Sequence, residues 1–334
     1  MPVAHRRPPL SVLDLAIVGE GATSGRALQE TTTLARRADE LGYHRFWVAE
    51  HHNMPSVAST APPVLIAHLS AATTHLRIGS GGVMLPNHPP LVVAEQFAML
   101  EALHPGRIDL GIGRAPGTDN ATAVALRRSP DALGAEDFPR HLIDLMGLLG
   151  DVRAEEGPWT RFAATPAATT APQIILLGSS GYSARLAGLL GLPFSFAHHF
   201  DTGGTIQALD LYRASFTPSP VLDRPHAIVT VSVFAAETQG EAERLADPGR
   251  LLMLWVRSGR FVPLPSPETA AAHPDVELAR RVPSNRIVGP PAAVVAGLED
   301  LAAESGADEL MVSTVTYGVE ERVRSLELLA GAWS

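Results

Sequence analysis

The chain has no cysteine among its 334 residues. This absence excludes disulfide bonds, thiolate metal sites and a cysteine nucleophile. No window approaches the ~20 apolar residues that a membrane span requires. No run of basic residues would suit a nucleic acid backbone, and the formal net charge of -9 also disfavours that partner. The sequence therefore predicts a protein that binds neither nucleic acid nor a membrane.

The N-terminal segment lacks the apolar core of a secretion signal. Residues 1–9 include His5, Arg6 and Arg7, but Asp14 interrupts the apolar stretch that follows. With no export signal, we expect a cytoplasmic location.

Short β-rich apolar runs alternate with longer amphipathic or Ala/Leu-rich stretches along the chain. The predicted strands are 12–18, 45–49, 76–81, 108–112, 173–177, 194–197, 228–234 and 309–315. The predicted helices are 26–41, 63–73, 92–103, 138–149, 182–190, 205–216, 240–257, 292–305 and 321–330. Eight strand–helix pairs in strict alternation predict an α/β fold, a (β/α)8 TIM barrel. A doubly wound open sheet is disfavoured, because no Gly-rich dinucleotide fingerprint follows the first strand.

The chain shows no internal repeat and no clear linker, which predicts a single domain over residues 1–334. Segment 155–172 is rich in Pro, Ala and Thr and is predicted to be an excursion between a helix and strand 5. Segment 259–291 contains seven prolines. We interpret it as a mobile insertion before strand 8, with the role of a lid.

Glu50, His51 and His52 follow predicted strand 2 directly. In a barrel of parallel strands, residues at the carboxyl ends of the strands line the active site. Histidine has an ordinary pKa suited to proton handling near neutrality, so the cluster predicts a proton donor or hydrogen-bond partner. A polar loop bonded to itself is the alternative. Metal binding is a third reading, but adjacent residues of an extended segment point in opposite directions and rarely share one ion.

Glycine and arginine follow the next two predicted strands. The pair Gly81-Gly82 would let the backbone approach a flat ligand closely, or would simply form a bend. Arg114, after strand 4, would bind a phosphate or pair with a neighbouring carboxylate.

Hydroxyl groups follow predicted strand 5 at Ser179, Ser180 and Ser183. Hydroxyls and free N–H groups at a helix N-terminus form an anion site, and ordinary N-capping is compatible with that role. His198 and His199 follow strand 6, and one of them could equally be a packing residue. A phosphate site, a glycine-lined surface and a histidine around one opening predict a phosphorylated planar cofactor such as FMN.

The block from Gly42 to Gly117 carries a family resemblance. Its segments 42–52, 77–83 (followed by His88-Pro89) and 106–114 stand in the order and at the spacing of strands 2, 3 and 4 of the bacterial luciferase-like flavin monooxygenases. The similarity extends nearly end to end, and we identify the chain as resembling that family.

The resemblance implies a TIM barrel that binds reduced FMN supplied by a separate reductase. The flavin hydroperoxide formed with O2 would then oxygenate a small organic substrate. His51 matches the histidine near the flavin peroxide, Glu50 precedes it in the same motif, and His199 matches a histidine after strand 6. These three are the catalytic candidates. The family also implies a cis peptide between Gly81 and Gly82 under the isoalloxazine ring, and an FMN phosphate bound by Arg114, Ser179, Ser180 and Ser183.

Two positions depart from the light-emitting relatives. Gly113 stands where they carry a reactive cysteine, and Ser179 stands where they have a carboxylate, so light emission is disfavoured. Two alternatives remain, a deazaflavin-dependent hydride transfer on the same barrel and a non-catalytic flavin-binding subunit. The resemblance also implies a homodimer, packed through small or apolar residues of the second and third predicted helices, namely Ala67, Leu69, Ala71, Ala72, Ala94 and Ala98.

Overall fold

The computed structural model describes residues 7–127, 135–200 and 203–333. The strands are β1 (Leu10–Asp14), β2 (Arg45–Val48), β3 (Arg77–Met84), β4 (Ile108–Gly113), β5 (Gln173–Gly178), β6 (Phe194–Phe196), β7 (Ala227–Ala235), β8 (Ile287–Gly289) and β9 (Glu309–Ser313). The helices are α1 (Ser24–Glu40), α2 (Pro62–Ala72), α3 (Pro90–Leu103), α4 (Asn120–Arg127), α5 (Phe138–Leu148), α6 (Gly181–Leu189), α7 (Thr205–Ala214), α8 (Gln239–Arg257), α9 (Pro267–Ala272), α10 (Val276–Arg281), α11 (Pro291–Ser305) and α12 (Val319–Trp333). Within the described ranges, none of these helices is both long and apolar enough to cross a bilayer.

Eight of the strands close into a barrel in which every neighbouring pair is parallel. The order runs from β1 through β7, and β9 joins β7 to β1. The short strand β8 pairs with the carboxyl end of β7 and lies outside this ring. The predicted (β/α)8 TIM barrel is confirmed, and its eighth strand is β9.

The predicted bounds of strand 1, 12–18, are wrong. The strand ends at Asp14, where the carboxylate accepts the N–H of Ala16 at 3.0 Å. Ala16 has a φ of 50°, which turns the chain out of the sheet. Beyond it, Ile17 forms an antiparallel bridge with Val57. The residues after Asp14 are apolar because they pack over the barrel mouth. This is why the apolar run in the sequence is longer than the strand.

Segment 259–291 contains α9, α10 and β8. It packs against α8, where Arg280 forms an ion pair with Asp247. Leu264 forms a parallel bridge with Gly19, which ties the segment to the loop after β1. Movement of the segment as a lid stays a prediction.

The residues predicted to form a homodimer contact are divided between two faces of α2 and α3. Leu69, Ala94 and Ala98 are buried against the barrel and are therefore unavailable to a second copy of the chain. The outward side of α3 instead exposes Met99 and Leu103. Any contact between copies through these helices must use the outward side.

Charged side chains fill the amino-terminal end of the barrel interior. Arg45, at the start of β2, donates to Asp109 of β4 at 2.8 Å and to Glu309 of β9 at 3.0 Å. Arg77 of β3 forms an ion pair with Asp109, and Ser11 of β1 donates to Glu309. The two carboxylates are fully buried, and the hydrogen bonds offset the cost of removing their charges from water.

An apolar layer lies above this cluster and separates it from the opposite end of the barrel. Its members are Leu13, Trp47, Ile175, Ile228 and Met311. They come from five different strands and point inward because side chains alternate along each strand. The barrel interior is therefore closed at its amino-terminal end.

We expect Arg45→Met to lower the free energy of unfolding by roughly 3–5 kcal/mol, because it leaves the buried carboxylate of Glu309 without its arginine and that of Asp109 with Arg77 alone. Urea denaturation at pH 7 measures this loss. Arg36→Met is the matched control, since Arg36 is exposed on α1 and its loss should change stability by no more than about 0.5 kcal/mol. Equal stabilities for the two variants would contradict the importance given to the cluster.

Candidate active site

A cavity of about 260 Å³ opens at the carboxyl ends of the barrel strands. Eight of the nine predicted site residues line it: His51, Gly81, Gly82, Arg114, Ser179, Ser180, Ser183 and His199. Glu50, the ninth, is fully buried and lies behind the wall. The alternating pattern of strands and helices thus brings together residues that are up to 148 positions apart.

One wall of the cavity is backbone without side chains. The peptide bond between Gly81 and Gly82 is cis, as the resemblance implied. The two glycines form an irregularity in the pairing of β3 with β4. A Cβ atom on Gly82 would come within 2.8 Å of the carbonyl oxygen of Gly111, and one on Gly81 within 2.7 Å of Leu13. A side chain at position 82 would clash with backbone and one at position 81 would displace Leu13, and the wall without side chains suits a flat ligand.

His51 lies on the cavity wall as a neutral imidazole at pH 7. Burial lowers its pKa below the ordinary value, despite a hydrogen bond with the Gly117 carbonyl. That carbonyl can only accept, so Nδ1 carries the proton and donates to it at 3.2 Å. Nε2 therefore has a free lone pair, and the ring can accept a hydrogen bond or take up a proton.

His199 has the same arrangement on the other side of the cavity. Its Nδ1 donates to the carbonyl oxygen of Thr230 on β7 at 3.2 Å. Burial, together with neighbouring His198, His51 and Arg286, lowers its pKa to about 4 despite the hydrogen bond to Thr230. His198 does not line the cavity, and its Nδ1 lies 2.7 Å from the hydroxyl of Thr205.

Glu50 holds together the loops that follow β2 and β3. Its carboxylate accepts hydrogen bonds from His52 at 2.8 Å, from His88 at 2.9 Å and from the N–H of Met84 at 2.9 Å. Asn87 donates to the same carboxylate at 3.3 Å. Burial raises the pKa of Glu50, but these hydrogen bonds outweigh burial and hold the pKa below its usual range. Glu50 thus fixes the backbone next to the glycine wall without facing the cavity.

The first turn of α6 forms the polar end of the cavity. Ser180 is its N-cap residue, and no side chain caps the first-turn N–H groups. Ser179 and Ser180 are exposed there, whereas Ser183 is buried. Uncapped N–H groups and hydroxyls at a helix N-terminus fit a phosphate group.

Arg114 lies beside this helix end, with its guanidinium carbon 4.2 Å from the ring centre of Tyr182. Within the described part of the chain, Arg114 forms no ion pair with a carboxylate. Its charge is therefore available to an anion held at the first turn of α6. No group of acidic or histidine side chains able to hold a metal ion occurs among the described residues.

Trp47 and Thr230 are among the cavity-lining residues that sequence reasoning missed. Trp47 is fully buried, and its indole N–H donates to Asp109 at 3.0 Å while the ring reaches the cavity. Alternate residues of a strand face the same side, so the position of Trp47 two residues before Ala49 could have indicated that it faces the cavity. Thr230 lies within an apolar run of β7, where no polar motif marked it.

Comparison with known proteins identifies what this chain is similar to. Residues 9–324 match the family model of the luciferase-like monooxygenases. A luciferase-like monooxygenase of Escherichia coli (strain K12) is 43% identical over 322 residues, which cover 95% of each chain. An N-acetyl-S-alkylcysteine monooxygenase of Bacillus subtilis (strain 168) is 39% identical over 271 residues, covering 79% of this chain and 78% of the relative.

Solved structures share the fold. The structure of apo-MsnO8 superposes with a TM-score of 0.90 at 39% identity, covering 98% of both chains. The oxygenating constituent of 3,6-diketocamphane monooxygenase from Pseudomonas putida, in complex with FMN, gives a TM-score of 0.71 at 20% identity over 97% of both chains. An F420-dependent secondary alcohol dehydrogenase gives 0.67 at 15% identity, covering 98% of this chain and 99% of the other. The last two similarities establish the fold alone.

We expect Glu50→Gln to lower the free energy of unfolding at pH 7 by roughly 1–3 kcal/mol, because an amide accepts fewer of the four donors. A depressed pKa stabilises the fold above the unfolded value of 4.5 and loses that contribution as the pH falls. The difference from wild type should therefore shrink below about pH 4.5. Urea unfolding at pH 7 and pH 4 tests this, with exposed Glu304→Gln as the control. A difference that is independent of pH would count against the assignment.

Proposed function

The chain belongs to the luciferase-like monooxygenase family, and from that premise we propose that it binds reduced FMN in the barrel cavity and oxygenates a small organic substrate with O2. The observation that carries the proposal is the glycine wall at Gly81-Gly82 next to the uncapped first turn of α6. The wall accommodates a flat ring, and the helix end accommodates a phosphate. A separate flavin reductase would supply the reduced cofactor as a transient partner.

The named relatives support this choice among the possible cofactors and reactions. The N-acetyl-S-alkylcysteine monooxygenase is similar over most of this chain, which supports oxygenation as the reaction. The diketocamphane monooxygenase constituent shares the barrel and was solved with FMN, which supports FMN as the cofactor. We therefore place oxygenation with FMN ahead of hydride transfer with a deazaflavin.

The residues that line the cavity would have separate roles in binding the cofactor. Bound reduced FMN supplies the electrons that activate O2. Arg114 and the hydroxyls of Ser179, Ser180 and Ser183 would hold the phosphate, and the backbone of Gly81-Gly82 would support the ring. Each contact fixes the cofactor without contributing a proton.

Proton handling would fall to His51. Its Nε2 is unprotonated at pH 7, so it would accept a hydrogen bond from the reacting oxygen atoms, take up a proton and return it. Such general acid–base catalysis contributes roughly 10²–10⁴-fold to a rate. His199 offers a second unprotonated nitrogen across the cavity, and Glu50 acts as a positioning residue. Segment 259–291 would act as a lid that excludes water from the reaction.

Stopped-flow spectroscopy of the protein with reduced FMN, mixed with oxygenated buffer, tests the proposal. We expect a transient near-ultraviolet absorbance that decays more slowly than in free solution. His51→Ala should shorten its lifetime at least tenfold and release hydrogen peroxide faster, because the hydrogen-bond acceptor is lost. His75→Ala is the matched control, since His75 is exposed before β3 and should behave as wild type.

The same experiment identifies the alternatives. If reduced FMN does not bind, or is oxidised as it is without protein, the FMN proposal fails. Titration with a reduced deazaflavin would then test hydride transfer. Flavin binding without the transient, with or without a reductase, would indicate a flavin-binding subunit.

We also propose that two copies of the chain associate through the outward side of α3. Val92, Met99 and Leu103 are spaced by seven and four residues and therefore share one side of the helix. They are 43%, 52% and 63% exposed, and Val64 on neighbouring α2 is 72% exposed. Adjacent exposed apolar side chains are typical of a protein interface.

Light scattering coupled to size-exclusion chromatography tests this association. We expect a dimer for the wild type and a monomer for Leu103→Glu, because a carboxylate in an apolar interface loses its hydration. Val221→Glu is the control, since Val221 is 54% exposed in the loop before β7 and should leave the dimer intact. A wild-type monomer at all concentrations would refute the proposal.

A further inference from the structure

A second cavity, of about 420 Å³, adjoins the first one beside His199. It lies between α8, the loop after β6 and the end of the insertion at residues 279–286. The ring of His199 lines both cavities. The amide of Asn285 donates to the carbonyl oxygen of His198 at 3.1 Å, which joins the insertion to the loop that carries His199. A ligand in the second cavity would therefore reach the barrel cavity past His199.

Three arginines line this second cavity. Arg250 and Arg257 are seven residues apart on α8, and seven residues are close to two helical turns, so their side chains lie on the same face. Met253 and Leu254 lie between them on that face and give the cavity an apolar wall. Arg286 comes from the insertion, immediately before β8.

Within the part of the chain that the structure describes, carboxylates form ion pairs with only one of the three arginines. Arg250 forms ion pairs with Glu243 at 2.6 Å and with Asp247 at 3.0 Å. Arg257 and Arg286, in contrast, have no ion-pair partner within the described ranges. Among the described residues, Arg286 donates one hydrogen bond, to the carbonyl oxygen of Gly249 at 3.5 Å, which is long for such a bond.

Arg286 is held in an unfavourable environment. Burial, together with the nearby positive charges of Arg250 and Arg257, lowers its pKa to about 10. A half-buried cation next to two others costs stability unless an anion joins it. An anion in the cavity would remove the repulsion and complete the hydrogen bonds of the guanidinium.

We propose that this arginine-lined cavity binds the carboxylate or sulfonate group of the substrate, so that the substrate is a small organic anion whose oxidisable end extends past His199 into the barrel. The inference builds on the proposed function, because it assigns the substrate class of the same site. The phosphate position at α6 belongs to the first cavity, so the two anionic groups occupy separate places. The apolar wall formed by Met253 and Leu254 would contact the carbon chain of the substrate.

Isothermal titration calorimetry of the flavin-free protein tests the inference without any oxygen chemistry. The probes are hexanoate, hexane-1-sulfonate and the uncharged isostere hexanamide, at about 0.1 M salt. We expect one of the two anions to bind with one-to-one stoichiometry and at least tenfold more tightly than the amide. Arg286→Met and Arg257→Met should each weaken anion binding about tenfold and leave amide binding unchanged.

Two controls separate ligand binding from a structural role. Arg281→Met removes an exposed charge at the end of α10, outside the cavity lining, and should keep the wild-type affinity for the anion. Arg286→Met should also melt at the wild-type temperature or above it, because it removes a cation without a counterion. Equal binding of anion and amide, or an Arg286→Met variant that is destabilised with unchanged anion affinity, would overturn the inference.

The binding of FMN and of riboflavin to Arg286→Met shows whether the arginine-lined cavity holds the cofactor phosphate instead. If Arg286→Met weakened the binding of FMN but not of riboflavin, the cavity would hold the cofactor phosphate, and the inference would be wrong. Unchanged FMN binding supports it. The binding experiments do not depend on the outcome of the stopped-flow experiment. The proposed substrate class and the proposed FMN-dependent oxygenation can therefore fail independently.

Discussion

Closure of the barrel depends on the ion pairs that the buried guanidinium of Arg45 forms with Asp109 and Glu309. It joins β2 to β4 through Asp109 and to β9 through Glu309, and it also donates to Gln173 of β5 at 2.8 Å. Hydrogen bonds from Ser11 of β1 and Arg77 of β3 complete the same cluster, so six of the eight barrel strands contribute to it. Buried ion pairs contribute little net stability compared with apolar packing. The cluster instead favours one register of the strands, because any other would leave a buried charge unpaired.

The apolar layer above this cluster determines where chemistry can occur. The layer, which includes Trp47, fills the barrel interior, so ligands enter from the carboxyl ends of the strands. Burial in the resulting cavity disfavours charge on His51 and His199, and each ring directs its Nδ1 proton to a backbone carbonyl. The site therefore presents two unprotonated nitrogens towards its centre. The apolar layer thus closes one end of the cavity, and burial above it keeps the two histidines neutral.

The sequence predicted the features that depend on local pattern. Strands buried on both faces give apolar runs, and polar residues at their carboxyl ends meet in the mouth, so eight of the nine predicted site residues line one cavity. Features that depend on distant partners could not be predicted. Asp14 at the end of β1 accepts hydrogen bonds from Thr31 and Arg322, and Arg45 meets Glu309 across 264 positions. The arginine-lined cavity was missed because only the folding of the insertion brings Arg286 to α8.

The distribution of charge would allow this acidic chain to bind anionic ligands. The formal net charge is -9, yet Arg114, Arg257 and Arg286 have no carboxylate partner among the described residues and all lie around the mouth. Charges within a few ångströms of a ligand outweigh distant surface charges, since salt screens the latter over about 8–10 Å. An anion at Arg286 would also reduce the positive potential at His199. Burial remains the larger cause of the low pKa of His199, so this histidine stays neutral with or without the anion.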